Sequence, residues 1–110
     1  MAKKVTTYQE DLIEALKDPV EASAYLNVAM EEDDRTVFLL ALRNVADAHG
    51  GMSAIAKKTR LNRESLYKML SERGNPEIKN VLNLLASMGL KLTVVPRSKP
   101  SKAQKIKKAA

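Results

Sequence analysis

Signals that start or end a helix recur at short intervals along the chain, and they leave room only for short helices. Thr7 and Glu10 have the spacing of a capping box, in which a hydroxyl and a carboxylate each satisfy a free backbone N–H. Asp18-Pro19 and Asn75-Pro76 each combine a capping side chain with a proline that suits the first helical turn. Gly50-Gly51 ends the helix that precedes it. This division predicts a bundle of short helices.

Apolar residues between these signals recur three and four positions apart, as they do on one face of a helix. We expect a helix opened by Thr7, a second from Pro19 to about Met30, and a third from Arg35 to Ala48. The residues predicted to face inward from these three helices are Leu12, Ile13, Leu16, Val20, Ala24, Tyr25, Val28, Val37, Phe38, Ala41, Leu42, Val45 and Ala46. The inward face predicted for the last helix consists of Ile78, Val81, Leu82, Leu85 and Met88.

Residues 90–95 alternate in polarity and predict one strand. A lone strand needs a partner for its backbone groups, and a second copy related by a two-fold axis would supply one. We therefore predict a homodimer. Its interface is expected to contain Leu85, Met88, Leu90, Leu92 and Val94.

Length and composition limit the class of protein. A chain of 110 residues without cysteine predicts one domain with no disulfide and no thiolate metal site. The N-terminus lacks the apolar region of a signal peptide, and no apolar run approaches the ~20 residues of a membrane span. We therefore expect a soluble, cytoplasmic protein without membrane association.

Charge is distributed unevenly along the chain. The net charge is +6, and the whole excess lies after Pro96, where six lysines and arginines occur without an acid. Nine acids lie in residues 10–34 against the single base Lys17, whereas residues 52–73 hold six bases and two acids. This segregation suggests two kinds of partner. The expected organisation is a flexible N-terminus (1–5), one folded domain (6–95) and a basic disordered tail (96–110).

Residues 51–71 have the pattern of a helix-turn-helix, whose second helix enters the DNA major groove. Leu61 fills the turn and Asn62 caps the second helix. The inward-facing residues are Met52, Ile55 and Ala56 in the first helix and Leu66, Met69 and Leu70 in the second. The outer face carries groups that can donate to guanine edges or hold phosphates. The residues predicted to contact DNA are Ser53, Lys57, Asn62, Arg63, Glu64, Tyr67, Lys68, Ser71 and Arg73. Spacing and charge alone also fit a basic face that is merely solvated.

The stretch "MSAIAKKTRLNRESLYKMLSERGNPEIKNVLNLLASMGLKL" resembles the helix-turn-helix of the phage Cro/C1-repressor (Xre-type) family. With that resemblance the predicted fold class is all-α and lambda-repressor-like, with five to six short helices around the helix-turn-helix and one C-terminal strand. The family often has glycine at the turn, where φ is positive, and this chain has Arg60, at a cost of about 1 kcal/mol. Its frequent glutamine phosphate ligand is replaced by Met52, so that contact is not expected.

The upstream pattern "LxDPxxAxxYLxxAxEEDD" (residues 16–34) resembles the addiction-module antidote proteins, antitoxins of the kind paired with RelE/HigB-like toxins. The resemblance covers about residues 6–95. It implies a type II antitoxin that represses its own operon as a dimer on operator DNA and neutralises a toxin that cleaves messenger RNA. The acidic end of the chain would attract a basic ribonuclease. The residues predicted to bind the toxin are Glu14, Glu21, Glu31 and Glu32.

No set of residues predicts catalysis, a metal ion or another cofactor. His49 is the one histidine, and its place at a predicted helix end favours a surface or capping role. The acids of "MEEDDR" read as solvated caps, since no histidine or second cluster completes a site. We therefore expect a protein that is not an enzyme. Two alternatives to the antitoxin stay open: a stand-alone transcriptional repressor, and an architectural or RNA-binding protein that acts through its lysine-rich tail.

Overall fold

The structure is a computed structural model that describes residues 7–97, and the regular secondary structure of these residues consists of six α-helices. The helices are α1 (Tyr8–Ala15), α2 (Pro19–Glu31), α3 (Arg35–Ala48), α4 (Gly51–Thr59), α5 (Arg63–Met69) and α6 (Ile78–Ser87). The all-helical class predicted from the sequence is therefore confirmed. None of these helices combines the length and apolar character that crossing a bilayer requires.

Side chains cap the starts of the first three helices, at the predicted residues Thr7 and Asp18 and at Asp34. Thr7 and Glu10 form the reciprocal capping box, with both hydrogen bonds at 3.0 Å. The Asp18 carboxylate accepts from the backbone N–H of Val20, with Pro19 as the first residue of α2. Asp34 accepts from both the N–H and the hydroxyl of Thr36, and these hydrogen bonds lower its pKa. Local chemistry therefore determines where these helices begin.

Helix α3 lies at the centre of the bundle and packs against α1, α2 and α4, while α4 also packs against α5 and α6. Every helix contributes to one core. Helix α1 contributes the partly buried Leu12 and Ile13, and it leads directly into the buried Leu16. The largest fully buried side chains are Leu16, Leu39, Leu42, Val45, Ile55, Leu66 and Leu84. The face predicted for α3 is correct, and Leu39 is an addition to it.

Two hydrogen bonds that share the buried Asn44 join the first three helices, and we call this chain of bonds the polar relay. The Gln9 side-chain amide donates to the side-chain oxygen Oδ1 of Asn44 at 2.9 Å, and the side-chain nitrogen Nδ2 of Asn44 donates to the Tyr25 hydroxyl at 2.8 Å. Asn44 is buried, so both of its amide atoms need these partners. The relay fixes the positions of α1 and α2 on α3.

The face predicted for α2 is largely wrong. Of the predicted residues only Tyr25 packs against the core, and Val20 and Val28 are 73% and 64% exposed. The residues that α2 buries are Ala22, Leu26 and Ala29. The helix carries apolar residues on most of its circumference, so spacing alone does not identify the face that meets α3.

The C-terminal part departs from the prediction in three ways. Asn75-Pro76 does not open α6, which begins at Ile78 after the N-cap residue Glu77 and has no side-chain capping bond. Leu85 and Met88, expected at a dimer interface, are each 4% exposed and belong to the core of their own chain. They pack inward because α6 turns Val81, Leu84 and Leu85 towards the bundle, which leaves Ile78 and Leu82 in solvent. The predicted strand is absent, since residues 90–97 form neither helix nor strand in the described chain. Within the described residues of one chain there is no second strand with which this segment could form backbone hydrogen bonds.

Candidate nucleic-acid interface

The turn between α4 and α5 contains a strained residue. Arg60 has φ 62°, and it is the one residue other than glycine with positive φ in residues 7–97. The resemblance to the Cro/C1-repressor family implied a positive φ at this position. A side chain there is unfavourable compared with glycine, so the surrounding contacts must hold the turn in place.

Hydrogen bonds of Thr59 and Asn83 hold that turn. The buried Thr59 hydroxyl donates to the Ile55 carbonyl at 2.8 Å and accepts from the Leu61 N–H at 3.3 Å. The Asn83 side-chain amide, on α6, donates to the Thr59 carbonyl at 3.0 Å. The turn is therefore supported by α4 on one side and by α6 on the other.

Helix α5 separates an inward apolar face from an outward polar face. Asn62 caps it by accepting from the Ser65 N–H at 2.9 Å. Leu66 and the following Leu70 are buried, and Met69 is half-buried, as predicted. The outward side chains, all exposed, are Arg63, Glu64, Ser65, Tyr67 and Lys68. The helix presents groups that can hydrogen-bond to a ligand, while its leucines fix it to the core.

The structure places the nine residues predicted to contact DNA on α4, in the turn before α5, on α5 and in the segment after α5. Eight of them are exposed, and Ser71 is half-buried. The Ser71 hydroxyl donates to the Lys68 carbonyl at 2.7 Å, so it caps the end of α5 in this structure. Nearby Gly74 cannot be replaced without a shift, since a Cβ atom there would collide with the Met69 carbonyl.

Two arginines approach the ring of Tyr67. The guanidinium carbon of Arg63 lies 5.6 Å from the ring centroid, and that of Arg43 lies 5.3 Å from it. Both distances are within the range of cation–π attraction. Arg43 belongs to α3, and sequence reasoning missed it because no local spacing connects it to α5. The one signal in the sequence was a charged residue directly after the apolar run 37–42 of α3.

The basic residues of α4 and α5 carry charge that ion pairs do not neutralise. Within residues 7–97 the only salt bridge joins Lys17 to Glu14 at 3.0 Å. Lys57, Lys68 and Arg73 are therefore available to an anionic ligand. The same part of the chain contains no group of three histidine, cysteine or acidic side chains that could hold a metal ion.

The four residues predicted to bind a toxin are exposed but do not form one cluster around a cavity. Glu14 lies on α1 beside Lys17, whereas Glu21 and Glu31 lie on α2. Only Glu32 lines an apolar groove, of about 450 Å³, together with Met30, Phe38 and other residues. The acids thus occupy the part of the molecule built from α1, α2 and the loop that follows.

The apolar residues predicted at a dimer interface have different environments. Leu90 is half-buried, and Leu92 and Val94 are 37% and 96% exposed. Two further residues of α6, Ile78 and Leu82, are 63% and 44% exposed. Exposed apolar side chains therefore continue from α6 into the C-terminal segment, while Leu85 and Met88 are enclosed.

Comparison with known proteins gives two matches. A family model described as "Probable addiction module antidote protein" matches residues 6–96. The chain is also 37% identical to an uncharacterized protein of Haemophilus influenzae over 84 residues, which are 76% of this chain and 86% of that protein. No solved structure matches the chain.

Proposed function

Because the chain belongs to the family of probable addiction module antidote proteins, we propose that it is the antitoxin of a type II toxin-antitoxin module. In this proposal α4 and α5 form a helix-turn-helix that binds operator DNA, and the protein represses its own operon. It also neutralises a cognate RelE/HigB-like toxin that cleaves messenger RNA. The observation that carries the DNA-binding half is the exposed polar face of α5, which buried leucines hold on the core.

The proposed DNA contacts follow from the exposure and charge of that face. Arg63 and Lys68 can donate to guanine edges or phosphates, and Asn62 can hold a phosphate or read an adenine. Lys57 and Arg73 add positive charge at the rim, where they would contact phosphates without reading sequence. Glu64 can accept a hydrogen bond from a cytosine amino group.

We propose that the protein binds DNA as a homodimer. A two-fold dimer requires a palindromic operator with half-sites about one helical turn, ~34 Å, apart or a multiple of it. The proposed interface consists of Leu90, Leu92 and Val94 together with the exposed Ile78 and Leu82 of α6. Pairing between two copies would supply residues 90–95 with the hydrogen-bond partners that one copy lacks.

The proposed toxin contact is the acidic surface formed by Glu14, Glu21, Glu31 and Glu32. A ribonuclease that grips RNA phosphates is basic around its site, so an acidic surface would attract it and speed the encounter. Three other acids in the same stretch cap helices. The carboxylates of Glu10, Asp18 and Asp34 accept hydrogen bonds from the backbone N–H groups of Thr7, Val20 and Thr36. Glu21, Glu31 and Glu32 form no salt bridge within residues 7–97, whereas Glu14 pairs with the exposed Lys17 at 3.0 Å.

The tail is proposed to add sequence-independent attraction to DNA. Residues 97–110 carry six lysines and arginines and no acid. Such a segment releases counterions from DNA regardless of sequence. This proposal, like the flexible N-terminus (1–5), concerns residues that lie almost wholly outside the described ones.

The deciding experiment expresses the chain together with the product of the adjacent gene. Growth rescue, co-purification of the two proteins and a mobility shift with the operon's own promoter support the full proposal. A promoter shift without rescue or co-purification favours the alternative, a stand-alone transcriptional repressor. Rescue without a promoter shift contradicts the autorepression half.

A further inference from the structure

Arg43 reaches from α3 to the reading helix α5, although it lies outside the proposed helix-turn-helix. Its guanidinium carbon is 5.3 Å from the centroid of the Tyr67 ring, and Arg43 is half-buried. The guanidinium carbon of Arg63 is 5.6 Å from the same centroid. The tertiary fold therefore gathers two permanently charged groups around one aromatic ring at the surface.

The charge of this cluster is not balanced within the described chain. The two arginines bring like charges to one ring, and these charges repel each other. Glu72 lines a cleft of about 360 Å³ together with Arg43, and Glu64 follows Arg63 in sequence. Neither glutamate forms a salt bridge with the arginines, since the one salt bridge of residues 7–97 is Lys17–Glu14. A bound anion would balance the positive charge of the two arginines.

We propose that Arg43 and Tyr67 form a binding site for one phosphate of the DNA backbone, beside the base-reading Arg63. This inference rests on the proposed operator binding and adds a contact from α3 to it. A guanidinium presents paired N–H donors that match phosphate oxygens. Tyr67 is 36% exposed, and its hydroxyl, which makes no hydrogen bond within residues 7–97, can donate to the same phosphate.

The bound phosphate removes the repulsion between the two arginines. It also determines the position of α5 relative to the DNA backbone, because the contact comes from a neighbouring helix at a fixed distance. Arg63 contacts the same ring and does not bind this phosphate, so its N–H groups can donate to a base edge. Arg43 thus sets the register of the complex, whereas Arg63 reads sequence.

The test measures the affinity of the full chain for a labelled duplex over a series of salt concentrations. Arg43→Gln removes one phosphate contact, so the slope of log K against log salt falls by about 0.9. We expect affinity at low salt to fall about tenfold, and by the same factor for operator and unrelated sequence. Arg43→Lys keeps the charge and the slope but binds several-fold more weakly, because a lysine lacks the planar fork.

Arg35→Gln is the matched control, because Arg35 is an exposed arginine of the same helix beside the acidic loop. It removes an equal charge, and the slope should stay at the wild-type value. Thermal melts of each variant show whether the fold is intact, and Arg43→Lys keeps the test valid where Arg43→Gln melts early. A wild-type slope for Arg43→Gln, or wild-type affinity for Arg43→Lys, overturns the inference. Failure of the wild type to bind any duplex instead overturns the proposed function.

Discussion

Arg63 and Tyr67 lie one helical turn apart on α5, and the guanidinium carbon of Arg63 is 5.6 Å from the centroid of the Tyr67 ring. The ring restricts the arginine before any ligand arrives, so less side-chain freedom is lost on binding. The outer face of α5 is therefore partly preorganised, and both residues contribute to a single arrangement.

Arg63→Ala should lower affinity for the operator by about 1–3 kcal/mol and reduce discrimination against unrelated sequences, because a bidentate contact to a base edge is lost. Titration of operator and unrelated duplexes by fluorescence anisotropy measures both effects. Lys57→Ala is the control, and it should weaken all sequences alike. Unchanged operator binding by a triple alanine variant at Arg63, Tyr67 and Lys68 would contradict the role given to α5.

Arg60→Gly should stabilise the protein by about 1 kcal/mol, since glycine adopts positive φ without the steric cost of a Cβ atom. For a domain of this size the melting temperature should rise by about 4–8 °C. Lys58→Gly, an exposed position inside α4, is the control and should lower stability by about 1 kcal/mol. A decrease in the melting temperature of Arg60→Gly would show that the arginine side chain makes a stabilising contact.

Asn44→Ala should destabilise the fold by about 1–3 kcal/mol, because it removes both hydrogen bonds of the buried relay between Gln9 and Tyr25. Urea denaturation followed by circular dichroism measures the loss. Gln9→Ala removes one bond at an exposed residue, so its effect should be smaller. Equal losses for the two variants would mean that burial of Asn44 adds nothing to the cost.

A double change of Ile78 and Leu82 to glutamate should dissociate the proposed homodimer, because it places charge on the exposed apolar side of α6. Leu92→Pro should have the same effect by removing a backbone donor from the C-terminal segment. Sedimentation velocity measures the oligomeric state. Val28→Glu, at an exposed apolar position of α2, is the control and should stay dimeric. A dimer that survives both changes must use another surface.

Charge reversal to lysine at Glu14, Glu21, Glu31 and Glu32 should slow association with the toxin, mainly at low salt, where exposed charges are least screened. Stopped-flow association and growth rescue measure the effect, and operator affinity serves as the internal control. Full rescue together with an unchanged association rate at low ionic strength would exclude this surface as the one that meets the toxin.

The sequence predicted those features that depend on neighbours along the chain. The caps at Thr7, Asp18 and Asn62 are local, and they occur where expected. The positive φ of Arg60 was expected from the family resemblance and not from its neighbours. The stacking of Arg43 on Tyr67 joins residues far apart in sequence, so no spacing could reveal it.

Faces of evenly apolar helices were harder to predict. Several sides of α2 are hydrophobic enough to be buried, and only the packing on α3 selects the one that contains Leu26. A similar choice on α6 buries Leu85 and Met88, which removes them from the surface predicted for the dimer. The strand at residues 90–95 was predicted to pair with the same strand of a second copy. A single chain therefore cannot contain that pairing.

The hydrogen bond from the Asn83 amide to the Thr59 carbonyl joins α6 to the last residue before the strained turn. Rotation of α6 against α4 would break this bond, so the bond opposes such a movement. In a dimer formed through α6, it would help to hold the two copies of α5 at a constant separation. Dimerisation and DNA binding would then be linked equilibria, in which each favours the other by the same factor.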